Sequence, residues 1–277
     1  MKMTLNELTL ALCEAGVCEA EREAYLILEH LFGISYASAV LNREKEYDAE
    51  KIEPIIKKRK EKIPLQYIFG EWYFMAERFL VTPDCLIPRS DTEILAETAI
   101  RSIRHGARIA DLCTGSGCIG ISLLLARPDI SSLTLVDISK KALDVAESNA
   151  VLHNVSYKCS FVNEDVTNDV LCGTYGAILT NPPYILSKDM GALSDEVKKE
   201  PHIALDGGED GLDIIRPIVF NSSAHLEDGG NLMIEFGYDQ EKSISELMDD
   251  AIGRGLYSSY KIIYDYGGNP RVCFIVK

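Results

Sequence analysis

Arg108-Ile109-Ala110-Asp111-Leu112-Cys113-Thr114-Gly115-Ser116-Gly117 passes from an apolar stretch into two glycines, and residues 118–126 continue as an apolar, helix-forming run. A strand that turns through small residues into a helix lets backbone approach a ligand at the helix N-terminus, where N–H groups are free. The alternative is that the glycines only make a tight turn. The same alternation of short β-rich runs with helical stretches recurs downstream, as in a doubly wound parallel sheet. Strands are expected over 108–113, 132–138, 157–163, 176–180 and 230–236, with helices over 118–126, 140–153, 212–225 and 240–252. A closing pair at 260–264 and 272–276, around Gly267-Gly268-Asn269-Pro270, suits a parallel sheet that carries one antiparallel strand. The fold class is therefore α/β.

Upstream the pattern differs. Up to about Ile68 no strand-like alternation occurs, whereas Leu5, Leu8 and Leu12, then Ala24, Leu28 and Leu31, recur at helical spacing. Gly33 reads as a helix stop, and Ile52, Ile55, Ile56 and Arg59 form a further amphipathic face ending at Pro64, with Pro54 expected to kink or start that helix. The expected organisation is a small helical bundle over 1–68, a linker over 69–90 that forms a β-hairpin, and a catalytic domain over 91–277. The basic run Lys57, Lys58, Arg59, Lys60 and Lys62 reads as a solvated helix face, or else as a surface for an acidic partner.

A formal net charge of −15 opposes non-specific phosphate contact, so direct DNA binding is not expected. No run of 18 apolar residues occurs and the N-terminus lacks a basic-then-apolar leader, which reads as a cytoplasmic protein without membrane attachment. Eight scattered cysteines lack the spacing of zinc or redox pairs, and the five histidines show no metal pattern. No metal is expected.

Candidate ligand-binding residues follow the strands. Asp137 ends the second strand about 20 residues beyond the glycines, where a ribose-binding carboxylate belongs; alternatively it caps the next helix, with Ser139 as the competing cap. Cys113 occupies the first position of the usual glycine pattern, which weakens a pyrophosphate reading. Asp111 would repel pyrophosphate but suits a ligand with an ammonium and a sulfonium. Asp165 and Val166, after the third strand, suit the exocyclic amine and ring of adenine, or form an ordinary acidic turn.

After the fourth strand stands Asn181-Pro182-Pro183-Tyr184. Two prolines hold the backbone extended and remove two N–H donors, so the Pro182 carbonyl and the Asn181 side-chain oxygen can accept both hydrogens of an –NH₂ group. A carboxamide nitrogen is barely nucleophilic, and fixing both N–H bonds aims its lone pair at an activated methyl; Tyr184 would stack on the flat group. The alternative is a rigid loop.

Together these runs resemble the HemK/PrmC family of peptide chain release factor glutamine methyltransferases over nearly the whole chain. More specific than the NPPY run are Ile87-Pro88-Arg89-Ser90-Asp91-Thr92-Glu93, Glu200-Pro201-His202-Ile203-Ala204-Leu205, Asp210-Gly211-Leu212, residues 64–70 and residues 265–272. The resemblance implies a class I S-adenosylmethionine-dependent methyltransferase with a Rossmann-like seven-stranded sheet and a small N-terminal helical domain that engages the release factor. The implied cofactor is S-adenosyl-L-methionine, with S-adenosyl-L-homocysteine as product, and the implied acceptor is the glutamine of the Gly-Gly-Gln motif. A monomer is expected.

Carried onto this chain, cofactor contacts fall on Asp111, Cys113, Thr114, Gly115, Ser116, Gly117, Asp137, Asp165, Val166 and Asn181. Catalysis falls on Asn181, Pro182 and Tyr184, and substrate contacts on these with Pro183 and Arg89. Arg89, Asp91 and Glu93 are candidates for the substrate entrance, and Asp91 reads alternatively, and preferably, as the cap of the helix over 92–101. Competing readings are an adenine-amine methyltransferase acting on DNA or RNA, and a non-catalytic nucleotide-binding adaptor that would have no need of the NPPY run.

Overall fold

Thr4 opens the first helix, α1 (Leu5–Glu14), with a reciprocal cap: its hydroxyl accepts from the Glu7 N–H, and the Glu7 carboxylate accepts from the Thr4 N–H. The computed structural model describes residues 1–277. They form two units, Met1–Gly70 with Ser194–Lys199, and Glu71–Leu193 with Glu200–Lys277.

In the first unit α1 is followed by α2 (Ala20–Phe32), α3 (Tyr36–Leu41), α4 (Ala49–Lys60) and α5 (Leu65–Phe69), with a two-residue pairing of β1 (Lys2–Met3) and β2 (Tyr47–Asp48). Leu5, Leu8, Leu12, Ala24, Leu28 and Ile52 fill its core. Asp48 caps α4, so this helix starts before Pro54, which lies inside it without ending it. The basic run does not make one surface. Arg59 is 1% exposed and bridges Glu23 (2.7 Å) and Glu196 (2.8 Å), while Lys62 donates to the carbonyls of Ala15 and Gly16 at the end of α1. Lys57, Lys58 and Lys60 alone remain on the exposed face. Breaking a buried ion pair on one side costs about 3–5 kcal/mol, which places Arg59 among the residues that hold this unit together.

In the second unit a hairpin of β3 (Glu71–Phe74) and β4 (Glu77–Leu80) leads to α6 (Glu93–Ser102). A seven-stranded sheet follows: β5 (Arg108–Leu112), α7 (Cys118–Ala126), β6 (Ser132–Asp137), α8 (Lys140–Leu152), β7 (Cys159–Asn163), β8 (Tyr175–Thr180), α9 (Ile215–His225), β9 (Leu226–Glu235), α10 (Glu241–Gly253), β10 (Ser259–Tyr264) and β11 (Pro270–Val276). The strand order is β10-β11-β9-β8-β5-β6-β7, and only β11 runs antiparallel to its neighbours. Side chains alternate between the sheet faces. Ile109, Leu133, Leu135, Ala177 and Leu179 pack on one side with residues of α6, α7 and α8, while Ala110, Val136, Ile178, Leu232 and Ile234 pack on the other with α9 and α10. Three short 3₁₀ turns, Ser187–Ala192, Val197–Lys199 and His202–Ala204, make up much of the segment between β8 and α9.

Candidate active site

The chain winds from β5 through β6 to β7 on one side and then returns to place β8 on the other side of β5. Such a switch leaves a crevice beyond the carboxyl ends of the strands. Leu112 and Thr180 are register partners, so Cys113 and Asn181 leave the sheet side by side.

A cavity of about 190 Å³ opens there. Cys113, Gly115, Asp137, Asp165, Val166, Asn181 and Pro183 line it from the strand ends, and Asp84, Cys85 and Leu86 with Pro201, Ile203 and Ala204 complete the wall. An adjoining recess shares Cys113, Gly115 and Asn181 and adds Thr114, Ser116, Arg89 and Thr92. Asp111, Gly117, Pro182 and Tyr184 line neither space.

Asp137 uses both carboxylate oxygens on backbone: Oδ2 accepts from Gly115 N (2.9 Å) and Oδ1 from Ser139 N (2.8 Å). Burial pushes its carboxyl pKa up against these two bonds. Ser139, not Asp137, caps α8, accepting from Ala142 N. Asp165 holds its own turn through the N–H and hydroxyl of Thr167. Asp111 is fully buried, and its Oδ2 accepts from the Thr114 hydroxyl (2.8 Å) and from Gly120 N (3.0 Å), while Oδ1 has no partner. Desolvation raises its pKa to about 7.

Gly117 starts α7 at φ 78°, and a Cβ there would stand 2.8 Å from Ile121 Cδ1. Gly120 is needed for a different reason. Its Cβ would fall 2.8 Å from the Leu133 side chain and 3.0 Å from Asp111 Oδ2, so only a glycine lets α7 lie this close to β6. A single glycine in an apolar helical run is weak punctuation, so nothing in the sequence marks Gly120.

On the other side of the crevice, Asn181 Nδ2 donates to the Thr92 hydroxyl oxygen at 3.1 Å. Tyr184 directs its hydroxyl to Glu235 Oε1 at 3.5 Å, and its carbonyl accepts from Gln240 Nε2. Arg89 ion-pairs with Glu200, a 5% exposed carboxylate whose second oxygen accepts from Ile87 N. Two landmark segments 111 residues apart thus close on each other. The expected cap at Asp91 is not formed: Thr92 is the N-cap residue of α6, with no side-chain capping bond, and Asp91 instead ion-pairs with Arg271 at 3.1 Å. A long-range charge partner outcompetes a cap whose alternative is bonding to water.

Residues 4–70 match the PrmC N-terminal domain model and residues 90–200 the methyltransferase small domain model. The release factor glutamine methyltransferase of Geobacter sulfurreducens is 35% identical over 237 residues, 84% of this chain and 82% of that one. Its counterpart in Moorella thermoacetica is 32% identical, over 99% of this chain and 97% of the relative. The chain belongs to the release factor glutamine methyltransferase family. For the fold, the ribosomal protein L11 methylase of Lactobacillus delbrueckii subsp. bulgaricus superposes with a TM-score of 0.50 at 21% identity, covering 70% of this chain and 82% of the other.

Cys113 follows the last residue of β5. The residue has φ 54°, in the left-handed region that glycine enters freely and a residue with a Cβ does not. The chain keeps a glycine-like backbone at this cysteine, and the Cys113 thiol, its pKa raised by burial, lines both the cavity and the recess.

Proposed function

We propose that this chain transfers the methyl group of S-adenosyl-L-methionine to the side-chain amide nitrogen of the glutamine in the Gly-Gly-Gln motif of a peptide chain release factor, leaving S-adenosyl-L-homocysteine. The observation that carries this reading is the setting of Asn181. Its Nδ2 is engaged by Thr92, which leaves Oδ1 as the acceptor where cavity and recess meet.

The cavity's donor set suits the cofactor. A carboxylate offers about four lone-pair directions, and Asp137 has two filled by backbone N–H, leaving others for ribose hydroxyls. Asp165 and Val166 suit the amine and ring of adenine. The recess at Thr114 and Ser116 suits the amino-acid end, and Asp111 acts through Thr114, holding the loop that shapes it. When bound, the sulfonium supplies an electrophilic methyl group and needs neither a metal nor a covalent enzyme intermediate.

The chain's own residues then orient the acceptor. Asn181 Oδ1 and the Pro182 carbonyl accept hydrogen bonds from the two amide N–H groups, turning the nitrogen lone pair toward the methyl; as the N–C bond forms and the sulfonium's C–S bond breaks, one of these protons is released to solvent. Pro182 and Pro183 are buried, so the acceptor geometry is fixed before substrate arrives. The Arg89–Glu200 pair fixes the rim of the recess against which the acceptor loop would rest.

Methyl transfer from labelled cofactor to a release factor, compared with the same factor carrying alanine for the motif glutamine, tests this. Label on the natural factor alone is expected. Label on both, or on a DNA or RNA duplex instead, would reassign the acceptor.

A further inference from the structure

The buried Glu200 carboxylate directs both oxygens to one neighbouring segment: Oε1 ion-pairs with the Arg89 guanidinium and Oε2 accepts from Ile87 N at 3.1 Å. That segment is a firm post, since Cys85 and Ile87 are themselves buried. Just beyond Glu200 the chain makes a single 3₁₀ turn, His202–Ala204, and Pro201, Ile203 and Ala204 line the cavity together with Asp84, Cys85 and Leu86. Ile203 is also 54% exposed, and the His202 side chain 71%, so the turn borders the cavity on one side and water on the other.

The two ends of this turn are held differently. At the far end Ile185 N donates to the Leu205 carbonyl (3.0 Å) and Gly207 N to the Ile185 carbonyl (2.7 Å), a short parallel bridge laid directly after the NPPY run. A Cβ on Gly207 would fall 2.6 Å from Tyr184 Cα, so this anchor is backbone packed on backbone. At the near end the Glu200 side chain holds the turn to its post. The cavity's other walls include the ends of β5, β6 and β8, which are paired in register within the sheet. We propose that Glu200 is a positioning residue for cofactor exchange: it pins the turn over the cavity, and S-adenosyl-L-methionine enters and S-adenosyl-L-homocysteine leaves when that pin opens. The inference rests on the placement of the cofactor in this cavity and names the group that controls passage to it.

A pin and a binding contact leave different kinetic marks. A residue that only touches the ligand slows its departure, so losing it raises the dissociation rate and leaves association alone. A pin closes the path in both directions. Loosening it raises the open population of the free and of the occupied protein alike, so association and dissociation speed up together and Kd moves little. Release of product past such a barrier commonly limits turnover, which gives the pin a direct bearing on the reaction.

The test measures association and dissociation rates of S-adenosyl-L-homocysteine by surface plasmon resonance on the immobilised full chain, comparing wild type with Glu200→Gln, Arg89→Met and the double variant. Glu200→Gln removes the charge that binds Arg89, and both rates are expected to rise on the order of tenfold with Kd changed by less than about threefold. Arg89→Met leaves the carboxylate and its bond to Ile87 in place, so both rates should rise by only about threefold. Because the two residues act through one pair, the double variant should be no faster than Glu200→Gln. Wild-type rates in Glu200→Gln, or faster dissociation with unchanged association, would overturn the pin. Should Glu200→Gln fail to fold, wild-type rates in Arg89→Met overturn it equally. Asp137→Ala separates the pin from the reading beneath it: affinity unchanged in that variant would remove the cofactor from this cavity and the pin with it, whereas weakened affinity there alongside wild-type rates in Glu200→Gln overturns the pin alone.

Discussion

Asp111 and Glu235 are matched opposites in this molecule. Each sits at or beside the carboxyl end of a sheet strand, each is buried to within 1% exposure, each keeps one oxygen without a partner, and burial pushes both to about 7. Their partners differ. Asp111 takes its bonds from Thr114 and Gly120, three and nine residues along the chain, and so braces the glycine loop. Glu235 meets the Tyr184 hydroxyl and the charge of Arg271, gathered from two other elements, and stands behind the NPPY loop. A buried acid with local partners stiffens one turn. One with distant partners ties the orientation of a loop to the packing of the whole sheet.

If the two sides are separate in this way, substitutions should split cleanly between chemistry and cofactor binding. The largest effect is expected for Asn181→Ala, which should lower single-turnover methyl transfer by roughly 10²–10³ while leaving cofactor affinity intact, as for removal of one preorganised polar group. Rapid-quench kinetics with calorimetry will show it. Weakened cofactor binding of similar size would mean that the two sides are one.

Asp137→Ala should do the converse. Loss of charged hydrogen bonds to ribose is expected to weaken cofactor binding by about 1.5–3 kcal/mol, with transfer largely restored at saturating cofactor. Unchanged affinity by calorimetry would return Asp137 to bracing Gly115 and Ser139.

A smaller effect should appear in stability against pH. Asp111 in the unfolded chain ionises near its ordinary value of 3.8, while in the fold it holds its proton to about 7. Between those values the native state binds the extra proton, so the neutral acid's stabilising contribution is full at low pH and is lost as pH rises toward 7, then stays level. Thr114 and Gly120 oppose the shift and Asp137 adds to it. Urea unfolding at pH 5 and 7.5 should therefore show a smaller drop in Asp111→Asn than in wild type. An equal drop would show that Asp111 is ionised in the fold.

The smallest effect concerns Cys113. Glycine there should remove the left-handed backbone penalty at some cost in chain entropy, a net gain of about 0.5–1 kcal/mol in thermal unfolding. Destabilisation would show that the thiol's packing outweighs the strain.

Much of the scaffold was legible because it is local. The helix expected over 118–126 is Cys118–Ala126, since an apolar run after two glycines has one reading, and the strand ends near Leu112, Asp137 and Thr180 fall within a residue or two of the change in periodicity. The strand expected from 230 begins at Leu226, because β9 pairs with β8 both before and after Glu227–Gly230 across a register shift, and turn-like chemistry there hid the first pairing. The cap expected at Asp91 rests on local sequence alone, whereas its partner in the fold, Arg271, is 180 residues away. Arg59 belongs both to an amphipathic face and to a basic run that reads as solvated, and its burial follows from Glu23 and Glu196, partners that nothing nearby in sequence announces.

By itself the sequence determined the alternating α/β order, the glycine turn after the first sheet strand, the acidic residue ending the second and the proline-stiffened acceptor run after the fourth. These depend on backbone conformations and residue periods that act within a few positions. The tertiary structure decided which of those residues share a cavity, that Arg89 answers Glu200, that Thr92 stands behind Asn181 and that Glu235 stands behind Tyr184. Orienting an amide needs donors and acceptors brought together in space, and the parallel sheet, by returning β8 beside β5, is what brings them.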